Sequence, residues 1–341
     1  MQALITFKDP STESPTACHQ GLGITALSTA MSLREQRLSA DALPAANGEH
    51  LWAQLAGPWA KYTHVVMEAP FIDAPFLQKL FRQFPGKQFS LVYHSNLGFL
   101  SQDGFAGQSL PLYMSLESAS HNFTVAGNSE KLTLAMTAAT GMPLTWLPNL
   151  YHLPTTTRRL RPSWAPAHGT LALGLFGAAR ALKNWLTAGV AAMIMQRSLD
   201  VDVDLHVSSM RDEGAAATRQ NLSAILALNQ RVHLIEAPWM THDDFVRYLY
   251  GMDLLLQPSF TETHNNVSAD GCYCGVPAVV SEAIDWAPPE WVAEADSAVS
   301  VAEVGCALLR DRKSAMNGWK ALDRFNRRAT AAWNQWLGVA G

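Results

Sequence analysis

Apolar positions in the C-terminal half fall into short runs separated by longer amphipathic stretches. The runs LALGLFGA (171–178), VDVDLHVSS (201–209), RVHLIEA (231–237), DLLLQPS (253–259) and PAVVS (277–281) read as strands. Between them, 182–199, 214–229, 241–251 and 265–274 carry helical patterning. Apolar strands joined by helices predict βαβ units and a parallel sheet covered on both faces.

The N-terminal half repeats this rhythm less regularly. Its strand-like runs are 2–7, 63–69, 89–95, 122–127 and 144–149, with helices expected over 22–36, 73–83 and 129–140. Between the halves, YHLPTTTRRLRPSWAPAHG (151–169) has no period and is rich in proline and arginine, so it reads as a linker. Beyond about residue 305 the pattern turns helical, ending in GWKALDRFNRRATAAWNQWLG. The expected organisation is a first domain over 1–152, a linker over 153–169 and a second domain over 170–317. A final helix over about 318–341 is expected to return to the first domain.

A chain of 341 residues with 48% hydrophobic content supports two cores. The net charge of −4 gives no global basic footprint, so nucleic acid is not implied by charge. No stretch approaches 18 uninterrupted apolar residues, and the opening MQALITFKDPSTE lacks the pattern of a secretory leader. A cytoplasmic protein is expected. The four cysteines, Cys18, Cys272, Cys274 and Cys306, make no disulfide framework, and Cys272-Tyr-Cys274 reads as buried packing rather than a metal site.

In open parallel sheets, ligands bind beyond the carboxyl ends of the strands, so residues following strands carry the functional signal. After 171–178 come Arg180 and Lys183, at the expected start of a helix. Cations there oppose the helix dipole unless an anion is present, which points to a phosphate or diphosphate. After 253–259 comes SFTETHNNVSAD, with Glu262 in a turn, Asn265 or Asn266 as helix cap, and Asp270 about one turn into the helix. Carboxylates so placed accept hydrogen bonds from sugar hydroxyls.

In the first half, Gly21-Leu-Gly23 within GxGxxA reads as a glycine loop that a ligand approaches. Its distance from the preceding strand weakens a dinucleotide-fingerprint reading. His94 follows a strand directly. The triplet within Asp200-Val-Asp202-Val-Asp204 could suggest a metal, but its alternation fits the exposed side of a strand better.

Arg180 and Lys183, then Glu262-x7-Asp270 ahead of Gly275-Val-Pro277, resemble the donor half of a retaining GT-B glycosyltransferase of GT4 type, the glycosyltransferases group 1 family. The resemblance covers roughly 170–285 and is thinner in the first half, where it rests on Gly21/Gly23, Tyr93-His94 and Leu147-Pro148-Asn149. It implies two Rossmann-like doubly wound α/β domains facing across a cleft, and a metal-independent, retaining hexosyltransferase. The donor would be a UDP- or GDP-linked sugar, with no other cofactor. Arg180 and Lys183 would hold the diphosphate, Glu262 the transferred sugar and Asp270 the ribose hydroxyls. His94 would contact the donor sugar, Gly21 and Gly23 would approach donor phosphate and acceptor, and Pro238, Trp239 and Met240 would lie near the base. Thr263, His264, Asn265 and Asn266 complete the donor-binding turn. The second acid is Asp where the family usually has Glu, one methylene shorter.

The acceptor is open: a small molecule, a glycan, a protein or a modified DNA base. The DNA reading rests on Arg158, Arg159 and Arg161 with Arg324, Arg327 and Arg328. A sugar-nucleotide-binding protein without catalysis and a NAD-dependent oxidoreductase are the remaining readings.

Overall fold

A computed structural model describes residues 1–8, 20–153, 169–208 and 216–339, Gln20 by its backbone alone. The expected linker's Arg158, Arg159 and Arg161, and Cys18, lie outside the described residues. The chain forms two compact units, Met1–Leu153 with Asn326–Gly341, and Pro154–Phe325.

The first unit runs β1 (Gln2–Lys8), α1 (Gln20–Glu35), β2 (Ser39–Ala45), α2 (Gly48–Ala56), β3 (His64–Met67) and α3 (Ala74–Gln83). It continues through β4 (Gln88–Tyr93), α4 (Leu97–Leu100), α5 (Gly104–Ser118), β5 (Phe123–Gly127), α6 (Glu130–Thr140) and β6 (Thr145–Trp146). Its sheet has the order β2-β1-β3-β4-β5-β6, and every pairing is parallel. The central strands are buried on both faces, as Leu4, Ile5, Val65, Val66 and Met67 show. That is why they read as continuous apolar runs rather than alternations. Asn47 and Asp73 cap α2 and α3, accepting from the backbone N–H groups of His50 and Phe76 at 2.9 and 2.7 Å.

Four of this unit's elements escaped the sequence pattern, the short α4 among them. The strand β2, SADALPA, has no β-branched residue and contains a proline. The helices α2 and α5 were also missed, and α5 contains two glycines and Pro111. Burial of Leu110, Tyr113 and Met114 holds α5 where propensity alone would not.

The second unit runs β7 (Thr170–Leu175), a one-turn 3-10 helix (Ala181–Lys183), α7 (Trp185–Leu199), β8 (Asp202–Ser208), α8 (Ala216–Leu226), β9 (Val232–Ala237) and α9 (His242–Leu249). Then follow β10 (Leu254–Gln257), α10 (Asn266–Cys274), β11 (Ala278–Ser281), a 3-10 turn (Pro289–Trp291), β12 (Val292–Ala293), α11 (Ala298–Arg310) and α12 (Ser314–Leu337). The sheet order is β12-β11-β10-β7-β8-β9, again all parallel. Both units are therefore doubly wound parallel α/β sheets, as the patterning predicts.

The long helix α12 belongs to both units. Its first part lies in the second unit, where the indole of Trp291 donates to the carbonyl of Ser314 at 3.2 Å. From Asn326 onward it is part of the first unit, where Trp333 donates to the carbonyl of Pro148 at 2.8 Å. Among the described residues, no helix is long and apolar enough to cross a membrane.

Candidate functional site

In the second sheet the chain winds one way from β7 to β8 and β9, and the other way to β10, β11 and β12. The two directions part between β7 and β10, which pair directly through Leu173 and Leu254. This is the topological switch point, where ligands of such sheets bind. The loops after β7 and β10 are brought side by side there, although some 80 residues of chain separate them.

The loop after β7 turns at Gly177, whose φ of +108° is a conformation that favours glycine. Arg180 is extended, and the 3-10 turn Ala181–Lys183 follows. The sequence suggests that these cations open the helix itself. Instead Asn184 adopts a left-handed conformation, and α7 starts only at Trp185. The buried Asn184 side chain then ties the segments together, donating to the carbonyls of Pro258 at 3.0 Å and Ala295 at 2.6 Å. A backbone bond from Phe260 to the carbonyl of Leu182 (2.9 Å) adds a second link.

These links bring Lys183 to Glu262. The Lys183 ammonium donates to Glu262 Oε1, and both side chains are less than a fifth exposed. Ser259 Oγ and Asn265 Nδ2 donate to the same oxygen, each at 3.2 Å. Asn265 is the cap of α10: it accepts from the Ser268 N–H at 2.9 Å and donates to Gln257 at 3.1 Å. Gln257 in turn donates to the carbonyl of Phe176 (3.2 Å). One amide, Asn265, thus caps the helix, orients the acid and joins both loops. Asn266 is the first residue of α10, and Thr263 lies in the preceding turn.

His264 is buried rather than presented to solvent. Its ring packs against Trp286 and Phe325, and its carbonyl accepts from the Trp286 indole at 2.5 Å. Asp270 is also buried, and its Oδ1 accepts from His242 Nε2 at 2.9 Å. That hydrogen bond raises the pKa of His242 against the opposing effect of burial. His242 begins α9, directly after the exposed Pro238, the half-buried Trp239 and Met240, and the cap Thr241. Sequence reading did not single out His242. The signal would have been its place at a helix start just past a strand.

In the first unit, three residues that follow adjacent strands meet. Glu68 after β3, His94 after β4 and Asn128 after β5 form one network. His94 Nε2 bonds Glu68 Oε2 at 2.5 Å, and Asn128 Nδ2 donates to Nδ1 at 2.9 Å. An amide nitrogen can only donate, so Nδ1 accepts and the proton of the neutral ring lies on Nε2, toward Glu68. Asn128 also reaches Asn149 at 3.3 Å, and Asn149 reaches Thr25 at 3.4 Å. Glu68 and Asn128 were missed because a lone acid or amide after a strand carries no motif.

Gly21 and Gly23 do not form a loop: both lie in the first turn of α1. A Cβ on Gly23 would stand 3.1 Å from the Phe7 ring, so this glycine lets α1 pack closely on β1. The aspartates of the DVDVD run are engaged by β9 and the residue before it. Arg231 bonds Asp200 and Asp202, both at 2.7 Å, and His233 bonds Asp204 at 3.1 Å. Among the described residues, no three His, Cys, Asp or Glu side chains group as a metal site. Cys272, Cys274 and Cys306 are buried free thiols. From the second basic cluster, Arg328 pairs with Glu130 at 2.7 Å and lies over the Trp146 ring.

No protein-family model and no curated protein matches the sequence. In fold the chain is similar to sucrose-phosphate synthase from Thermosynechococcus elongatus, with a TM-score of 0.66, 15% identity and 100% of both chains covered. It is also similar to the trehalose-6-phosphate synthase OtsA, at a TM-score of 0.67, 8% identity and 98% of each chain. A trehalose-6-phosphate structure from E. coli bound with UDP-2-fluoro glucose gives 0.59 at 8% identity, over 97% of this chain and 96% of that one. At such identities the likeness is one of fold. The protein has the GT-B fold, built from two Rossmann-like units.

Proposed function

We propose that the protein is a glycosyltransferase that moves a hexose-type sugar from a UDP- or GDP-linked donor to an acceptor hydroxyl. The observation that carries this reading is the Lys183–Glu262 pair at the switch point of the second sheet. Such a pair sets a cation for a diphosphate beside a carboxylate for sugar hydroxyls. An ammonium has three donors, so Lys183 can hold Glu262 and still donate to phosphate oxygens. The fold supports the reading, since similar structures carry names of sugar-phosphate synthases and one is bound with UDP-2-fluoro glucose.

Breaking the sugar–diphosphate bond builds negative charge on the leaving phosphate and positive charge at the anomeric carbon. Arg180 and Lys183 stabilise the first, fixed in place before the reaction begins. In this proposal no metal is required. Glu262, oriented by Ser259 and Asn265, holds the transferred sugar. From the resemblance, His94 is assigned to contact a sugar hydroxyl, which takes the place of Asn128 at Nδ1. Attack by an acceptor held on the face the diphosphate leaves gives retention of anomeric configuration.

A thermal-shift panel of nucleotide sugars tests the donor reading, because a ligand bound only by the folded state raises the melting temperature. One donor is expected to stand out, and incubating it with acceptors is expected to give a product of unchanged anomeric configuration by NMR. No shift with any nucleotide sugar overturns the reading. Binding without transfer or donor hydrolysis would instead establish a non-catalytic binder.

A further inference from the structure

The pair formed by Asp270 and His242 leads beyond that general assignment. Asp270, the fifth residue of α10, follows the turn that carries Glu262. His242, the first residue of α9, follows the loop after β9. Both helix starts therefore emerge at the carboxyl ends of strands, the edge at which ligands bind.

Exposure separates the two side chains. The Asp270 carboxylate is 3% exposed and bonded through Oδ1 to His242 Nε2 at 2.9 Å, whereas the imidazole is 33% exposed. The polar group offered to solvent here is the imidazole, not the acid. Among the described residues Nδ1 of His242 makes no hydrogen bond. The carboxylate fixes the ring by holding Nε2–H, as a buried acid orients a histidine elsewhere.

The surrounding charge restricts what Nδ1 can meet. Asp243 lies in the same first turn of α9, where Asp244 is paired with Arg247, and Asp270 is bonded to the ring's Nε2. The carboxylates of Asp243 and Asp270 repel a phosphate, and the diphosphate has its own cations in Arg180 and Lys183. A neutral hydroxyl suits the position, since it can donate to a bare Nδ1 or accept from a protonated one. In a nucleoside diphosphate the ribose is the neutral, hydroxyl-bearing part next to the phosphates.

We propose that His242, positioned by Asp270, is the residue that reads the ribose hydroxyls of the nucleotide. It takes a role that sequence resemblance gave to Asp270 itself. This inference rests on the donor reading above.

Isothermal titration of the full-length protein with UDP and GDP, and with their 2′-deoxy and 3′-deoxy counterparts, tests it. The wild type is expected to favour a ribonucleotide over at least one deoxy form by about tenfold, the effect of one good hydrogen bond. In His242→Ala that preference falls to near unity, while affinity for the disfavoured deoxy form stays within about twofold of wild type. Asp270→Asn is expected to weaken the preference as well, with unchanged preference between the two bases. A wild type that binds neither UDP nor GDP overturns the donor reading itself. Binding without ribose preference, or a preference that survives in His242→Ala, overturns only the assignment of His242. A loss of base preference instead places the ring against the base. Unfolding followed by circular dichroism confirms that each variant is folded.

Discussion

Lys183 and Glu262 are bonded although they stand 79 positions apart in the chain, and neither helix start nor strand alone would bring them together. What does so is the parallel pairing of β7 with β10 and the bonds of Asn184 to both neighbouring segments. Glu262→Gln keeps the size of the side chain and an acceptor oxygen for Asn265 and Ser259 while removing the charge. Transfer is expected to fall by about a hundredfold or more, in line with the loss of a preorganised transition-state contact. The melting temperature changes little. Rates measured with the donor found by thermal shift, alongside that melting temperature, decide the matter; full activity in the variant would refute the role of Glu262.

Lys183→Ala acts differently. It removes a cation from the diphosphate and leaves the carboxylate of Glu262, only 13% exposed, without its counter-charge. Affinity for a nucleoside diphosphate is expected to fall by about tenfold or more, with a stability loss of about 1 kcal/mol from the disrupted pair. Calorimetric titration and denaturant unfolding measure the two effects separately. An unchanged affinity would show that the pair is structural.

Gly177 is the backbone hinge of the same loop. A side chain at φ +108° is strained whatever space surrounds it, and the N–H of Gly177 is already held by Ser208 at 3.2 Å. Gly177→Ala is expected to destabilise the protein by about 1–3 kcal/mol and to weaken nucleotide binding with it. A variant as stable as wild type would mean the loop tolerates another path.

Glu117 on α5 provides the pH-dependent test. Burial pushes its carboxyl up to about 6, although a hydrogen bond from the Val125 backbone opposes the shift. The folded protein thus holds a proton that the unfolded chain gives up near 4.5, so this group makes stability fall as pH rises from about 4.5 to 6. Glu117→Gln removes the penalty. Because the side chain remains partly solvated, the gain at pH 7 is expected to be about 1 kcal/mol, vanishing below about pH 4.5. Denaturant unfolding across that range measures it, and a gain independent of pH would exclude titration of Glu117 as the cause.

Much of the architecture could be read along the chain because parallel sheets covered on both faces leave continuous apolar runs. Leu254–Leu256 and Val65–Met67 are buried throughout, and such runs stand out at any register. Among the elements that were missed, β2, α2 and α5 depend on neighbours. Nothing local marks SADALPA as a strand, yet it pairs along its whole length with β1.

The site divides along the same line. The sequence by itself determined which residues follow strands, and hence that Arg180, Lys183, Glu262 and His94 stand at strand ends. It also narrowed the cap of α10 to Asn265 or Asn266, because an asparagine before a helix satisfies a free N–H locally. Which of those groups touch was decided only by the tertiary structure. Strand order sets Lys183 against Glu262, helix packing covers Asp270 with His242, and adjacent strands bring Glu68 and Asn128 to His94. Hydrogen bonds act over about 3 Å, whereas sequence patterning records only the faces and ends of single elements.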